Sequence, residues 1–167
     1  MRIGSPAPEL DAVEWIGPPR PLAELRGRVV LVEVFQMLCP GCVSHGLPQA
    51  KRVEEMFPEV AVIGLHSVFE HHEAMTPVAL RAFLHEYRIR FPVAVDRHDG
   101  DRIPVTMRRY ELQGTPSTLL IDREGRLRQL AFGAVDDLAL GAYLGQLLGE
   151  SGPEPEPEIV LEPETAG

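Results

Sequence analysis

The sequence has few cysteines, few basic residues and no long apolar run. Two cysteines in 167 residues are too few for the disulfide framework of a small secreted scaffold. A chain of this length also buries a full hydrophobic core without staples or a structural metal. Sixteen Lys and Arg against 25 Asp and Glu give a formal net charge of −9, which leaves little to neutralise a phosphate backbone or an anionic membrane surface. Nucleic-acid and polybasic lipid binding are thereby disfavoured, and partners are expected to be neutral or basic. No apolar stretch approaches the ~20 residues of a membrane-spanning helix. The opening Met1-Arg2-Ile3-Gly4-Ser5-Pro6-Ala7-Pro8-Glu9 lacks the uninterrupted apolar segment of a secretory signal. The location this predicts is cytoplasmic; a chain cut behind a signal or anchor would begin in the same way and would belong to the periplasm or another extracytoplasmic space.

What is present divides into a body and a tail. Residues 151–167 hold Pro153, Pro155, Pro157 and Pro163, five glutamates and no basic residue. That composition cannot bury enough apolar surface to offset the entropy of ordering it, so a disordered acidic tail is expected, with Ile159-Val160-Leu161 its one apolar patch. The tail glutamates take five of the nine net charges and leave −4 on residues 1–150, which are expected to form one domain. In that body, Val29 to Phe35 and Val60 to Leu65 are nearly continuous apolar runs, the pattern of strands covered on both faces. Apolar residues at three-to-four-residue intervals predict a helix over Val43 to Phe57, and another follows from Pro77 to Tyr87 with Thr76 as its N-cap. Phe91 to Val95 reads as a short strand, Arg102 to Tyr110 as helical, Ser117 to Ile121 and Leu127 to Phe132 as a hairpin through Asp122-Arg123-Glu124-Gly125, and Val135 to Leu148 as a last helix. Asp136 and Asp137 are expected in the first turn of that helix, where they suit its dipole. This order predicts an α/β fold: a central mixed sheet, parallel in the middle, with helices on both faces.

Cys39-Pro40-Gly41-Cys42 stands between the end of a buried strand and the start of a helix. Cysteines three apart in a first helical turn can meet the Cα separation a disulfide requires, so the pair can alternate between dithiol and disulfide without unfolding the chain. Free backbone N–H groups and the positive end of the helix dipole would stabilise the Cys39 thiolate and make it the nucleophile. Cys42, deeper in the helix, would be the resolving thiol. A structural zinc site would need further ligands, and a c-type haem would need His where Val43 stands.

Several separate segments carry a resemblance. Gly4-Ser5-Pro6-Ala7-Pro8 and Leu22 to Val30 precede the first buried strand; Cys39 and Cys42 follow it; Gly114-Thr115-Pro116-Ser117 comes later, with the strand-turn Leu119 to Arg126 after it. In this order and spacing, residues 3–148 resemble the thioredoxin superfamily, and within it the TlpA/ResA-like thiol-disulfide oxidoreductases. The resemblance implies a thioredoxin-like fold with an extra strand-helix insertion, Val60 to Tyr87. It implies a redox-active Cys39–Cys42 disulfide with no other cofactor. Its partners would be protein disulfides or dithiols together with an upstream thiol reductant. It also implies a cis bond before Pro116, which would leave the Thr115 backbone exposed beside the disulfide to pair with an extended substrate; an ordinary trans proline opening a strand is the alternative. Glu33, a charged residue inside an apolar run, lies six residues before Cys39, where thioredoxins carry a buried acid. Desolvation there would raise its pKa and let it accept the Cys42 proton; a polar cavity or an arginine partner is the other reading.

Departures from the pattern matter too. Leu38 replaces the tryptophan that usually precedes the first cysteine, and Pro48 lies one position later than the family's helix-kinking proline, with Gly46 nearby. A peroxiredoxin would need a hydroxyl residue three before its cysteine and a proline seven before. Gln36 and Val32 stand there, which disfavours a thiol peroxidase. A Cu(I)-binding metallochaperone is the alternative of a different class, with His66 at the end of the second buried strand joining Cys39 and Cys42. His66 could instead tune the thiolate, as could His45, and His71 and His72 are expected as solvated loop residues.

Overall fold

Six strands and four helices follow one another through residues 1–153, the part of the chain that the computed structural model describes. In chain order they are β1 (Ala12–Ile16), β2 (Val29–Phe35), α1 (Leu47–Met56), β3 (Val60–His66), α2 (Pro77–Glu86), β4 (Val93–Asp96), α3 (Val105–Arg109), β5 (Ser117–Ile121), β6 (Leu127–Phe132) and α4 (Asp137–Gly149). The expected tail beyond residue 153, with Ile159-Val160-Leu161, lies outside the described residues.

All seven residues of β2 and all seven of β3 are buried, as continuous β-branched runs require. They pair in parallel and form the centre of a single sheet of order β1-β4-β3-β2-β5-β6. β4 continues the parallel set, whereas β1, β5 and β6 join antiparallel, so the sheet is mixed. Alternating residues sort to two cores. Leu31 and Phe35 pack with Leu47, Ala50 and Val53 of α1, Leu80 and Leu84 of α2, and Leu140 and Leu144 of α4. Val30, Val32, Val34 and Ile63 face Leu10, the 3-10 turn Leu22–Leu25 and Tyr110 at the end of α3. The expected strand-helix insertion is β3 with α2, and Thr76 caps α2 by accepting the Ala79 N–H at 3.3 Å.

The strand expected over Phe91 to Val95 is β4, Val93–Asp96, and four further differences from the sequence reading have local reasons. The edge strand β1 was not expected; it exists because β4 offers a free edge, and its Glu14 and half-buried pattern carry no continuous apolar signal. The helix expected from Val43 starts as a π turn, Cys42–Gly46, in which the Leu47 N–H reaches back to the Cys42 carbonyl. Pro48 has no N–H to give the Ser44 carbonyl and its ring crowds that carbonyl, so the widened turn accommodates it. The helix expected over Arg102 to Tyr110 shortens to α3 because Pro104 fixes its start. Asp136 is the N-cap of α4 rather than a first-turn residue, its Oδ1 accepting the Leu138 and Ala139 N–H groups at 3.0 Å.

Pro104, at the cap position of α3, has no side-chain acceptor for the first N–H groups of the helix. Asp96 supplies one from the end of β4: its carboxylate accepts the Thr106 N–H at 2.9 Å, the Met107 N–H at 3.1 Å and the Ser67 hydroxyl at 2.8 Å. Replacing Asp96 with alanine would strand three buried donors. Asp96→Ala is expected to lower stability by about 2–3 kcal/mol in urea unfolding, with Asp96→Asn losing less because it keeps one acceptor oxygen.

Candidate active site

The Cys39–Cys42 pair sits at the C-terminal end of β2, where the chain turns into the helix that leads to α1. The two sulfurs are joined as a disulfide, with a Cα–Cα separation of 5.2 Å. Helical backbone begins at Pro40, so Cys39 occupies the cap position. Its carbonyl accepts the Cys42 and Val43 N–H groups, and the Cys42 N–H also points at Cys39 Sγ from 3.2 Å. This donor and the helix N-terminus both favour negative charge on Cys39 sulfur. The two cysteines differ in access: Cys42 is 0 % exposed, whereas Cys39 is only partly buried, between exposed Leu38 and exposed Pro40.

The second part of the site arrives through the β2–β5 pairing. Val34 lies opposite Ser117 and Glu33 opposite Thr118, so the residue before β5, Pro116, lands over the turn that carries the cysteines. The Thr115–Pro116 bond is cis. A Cβ added to Gly41 would stand 3.2 Å from Pro116 Cδ, and one added to Gly46 would stand 3.1 Å from Pro116 Cβ. The proline ring therefore packs onto both glycines. Among the described residues the Thr115 backbone makes no hydrogen bond, while Pro116 gives its carbonyl to the Gly133 N–H at 2.8 Å.

Glu33 is 1 % exposed and meets no cation. Oε2 accepts the Thr118 hydroxyl at 3.0 Å; Oε1 has no partner among the described residues and occupies the place a Gly46 side chain would fill, against the turn that starts at Cys42. Burial raises its pKa to about 8, and the Thr118 hydrogen bond opposes that rise. Of the two sequence readings, the one with an arginine partner does not hold. Gly46 was noted only beside Pro48, not as part of the site, and Thr118 was missed from the sequence. A glycine inside a helical pattern was the available signal for the first; Thr118 carried none, since its role follows from strand register.

A groove of about 320 Å³ runs beside Cys39, lined by Gln36, Leu38 and Pro40 from one side, Phe69, Glu70 and Met75 from another, and Gly114, Thr115 and Phe132 from a third. Leu38 (59 % exposed) and Phe132 (53 %) give it apolar rims. The histidines are dispersed. His66 is buried, its Nε2 facing the Met37 N–H at 3.4 Å and its ring 5.2 Å from that of Phe35; burial pushes its pKa down to about 4. His45 Nε2 pairs with the Val135 carbonyl at 2.7 Å, and His72 meets the ring of His98. His71 lines the groove, exposed. Among the described residues no group of three His, Cys, Asp or Glu side chains is placed to hold a metal, so His66 is not brought together with the cysteines as a ligand set. No helix of these residues is long and apolar enough to cross a membrane.

Paired sulfurs at a helix start, a cis-proline packed on the glycine between them and a buried acid define the class as thioredoxin-like thiol-disulfide oxidoreductases. Comparison with known proteins agrees. The AhpC/TSA family model matches residues 3–130, and the chain belongs to that family, among the ResA/TlpA-like members of the thioredoxin superfamily. It is 26% identical over 147 residues to the thiol-disulfide oxidoreductase ResA of Bacillus anthracis, covering 88% of this chain and 79% of that one. It is 29% identical to the thiol:disulfide interchange protein DsbE of Pseudomonas aeruginosa, over 92% of this chain and 79% of that one. Among solved structures, a thiol-disulfide isomerase from Corynebacterium glutamicum is 57% identical with a TM-score of 0.84, covering 87% of this chain and 97% of its own. A thioredoxin-like superfamily protein is 56% identical with a TM-score of 0.87, over 89% and 99%.

The buried acid has a consequence for stability. Its folded-state pKa, about 8, lies above its ordinary value of 4.5, so between these values the folded protein holds a proton that the unfolded chain has released. Stability contributed by Glu33 is therefore complete below the ordinary value and is lost as pH rises towards 8. The disulfide form is expected to lose stability over this window with a slope approaching ~1.4 kcal/mol per pH unit, and Glu33→Gln should flatten it. Equal slopes in both proteins, measured by urea unfolding, would assign the loss to other groups.

Proposed function

We propose that the protein is a disulfide reductase acting on protein partners through a mixed disulfide at Cys39. The observation that carries this reading is the difference in access between the two sulfurs: a partner disulfide can reach Cys39 along the groove, and nothing outside can reach Cys42. The Cys39 thiolate attacks one partner sulfur, the partner S–S bond breaks and its other sulfur leaves as a thiolate that takes up a proton. In its ionised form, the minor one at neutral pH with a pKa of about 8, Glu33 accepts the proton of Cys42; the Cys42 thiolate then attacks Cys39 Sγ, forms the intramolecular disulfide and expels the second partner thiolate, which takes up that proton. The two electrons come from an upstream dithiol reductant, which restores the Cys39–Cys42 dithiol. Thr115, its backbone free, and Pro116 position the extended segment carrying the partner disulfide.

A titration tests the reductase direction. Equilibration with glutathione should give a midpoint potential below about −220 mV; a value near −120 mV would make the protein an oxidant instead. Cys42→Ser is expected to accumulate mixed disulfides through Cys39, and Cys39→Ser to accumulate none; equal trapping by both would reverse the assignment. Glu33→Gln should slow insulin reduction roughly tenfold to hundredfold at neutral pH, with the loss in the resolving step, as single-turnover kinetics with a preformed mixed disulfide would report.

A further inference from the structure

Gln36 follows β2 directly and is 3 % exposed. Its Oε1 accepts the Phe69 N–H at 3.0 Å and the Glu70 N–H at 3.3 Å, tying the loop after β3 to the loop that carries Cys39. Two backbone donors on one side of the amide settle which side is oxygen. The other side, Nε2, has no acceptor in the hydrogen bonds of the described residues, Cys39 sulfur included. Nor is it sealed in: among the described residues the one enclosed side-chain polar atom without a partner is Glu33 Oε1. Nε2 is thus not fully enclosed, and Gln36 lines the groove together with Cys39 and Thr115.

We infer that Gln36 is a substrate-binding residue, its Nε2 donating to a main-chain carbonyl of the polypeptide segment that carries the partner disulfide. An amide donor held in place by its own oxygen loses little freedom on binding, and a nearly buried donor gains more from an acceptor than one already in water. Glu70 on the groove lip disfavours an anionic acceptor such as the carboxylates of a small peptide thiol. A peptide carbonyl is neutral and recurs at every residue, so this contact reads the presence of a backbone rather than a particular sequence. It gives the substrate a side-chain anchor in addition to the Thr115 backbone. The inference rests on the reductase reading above.

Gln36→Glu keeps an oxygen for the Phe69 and Glu70 N–H groups and replaces the donor by an acceptor. The readout is the ratio of kcat/KM for insulin, a polypeptide disulfide, to that for bis(2-hydroxyethyl) disulfide, which has no carbonyl. That ratio is expected to fall roughly tenfold, the size of one lost hydrogen bond, and through a higher KM for insulin. Gln36→Met, close in volume and without charge, covers the case in which a buried carboxylate disturbs folding; it also removes the oxygen that holds the Phe69 and Glu70 N–H groups, so its ratio should fall at least as far. An unchanged ratio in the folded variants, or equal losses on both disulfides, overturns the assignment of Gln36. Failure of the unaltered protein to reduce either disulfide overturns the reductase reading itself, and this inference with it.

Discussion

The antiparallel pairing of β2 with β5 is the constraint on which the site depends. Both strands are buried, β2 lies between β3 and β5, and side chains alternate between two filled cores. With Val34 set opposite Ser117, Glu33 must face Thr118, and Pro116 must arrive over Gly41 and Gly46. A slip of one residue would send Glu33 to the opposite core and place the cis-proline away from the cysteines, while exchanging every apolar contact of the strand. The same hydrophobic packing that fixes the fold thus sets the distance between sulfur, acid and proline.

That arrangement also explains the small residues around the disulfide. Gly41 and Gly46 lie on the same turn-to-helix segment under the Pro116 ring: a side chain at Gly41 would press on the ring at 3.2 Å, and Gly46 has no room for one. Gly46 has a second restriction, because Glu33 Oε1 stands where its Cβ would be. The π turn between Cys42 and Gly46 belongs to the same set of accommodations: it lets Pro48 enter the helix while Cys42 stays fully buried.

Much of this was legible in the sequence, where the signal was local. β2 and β3 announced themselves as unbroken apolar runs because both faces are covered, and Cys39 and Cys42 announced redox chemistry because their spacing and their place after a strand are written in the chain. Resemblance added Pro116 and Glu33. β1 escaped because an edge strand with one half-buried face depends on its partner β4 rather than on its own pattern. The roles of Thr118 and Gly46 escaped for a similar reason: one residue matters through cross-strand register, the other through an atom it lacks. His66 was weighed as an alternative ligand or tuner beside Cys39 and as a solvated residue after its strand; its ring instead turns inward onto Phe35, where burial keeps it neutral. Gln36 was read as part of the approach to the site and as the wrong residue for a peroxidase, but the orientation of its amide follows from the loop at Phe69 and Glu70, which lies far along the chain.

The seclusion of Cys42 has a kinetic meaning. With one sulfur reachable and the other closed off, electrons enter and leave the protein through the same atom. In the cycle proposed above, donor and acceptor proteins take turns at a shared berth, and a complex of all three is sterically barred. Under the proposed cycle the turnover pattern is double displacement, in which an excess of either partner occupies the berth in the wrong oxidation state and slows the other. Flow between two partners is thus rationed by the occupancy of a single groove, whatever the driving force between them.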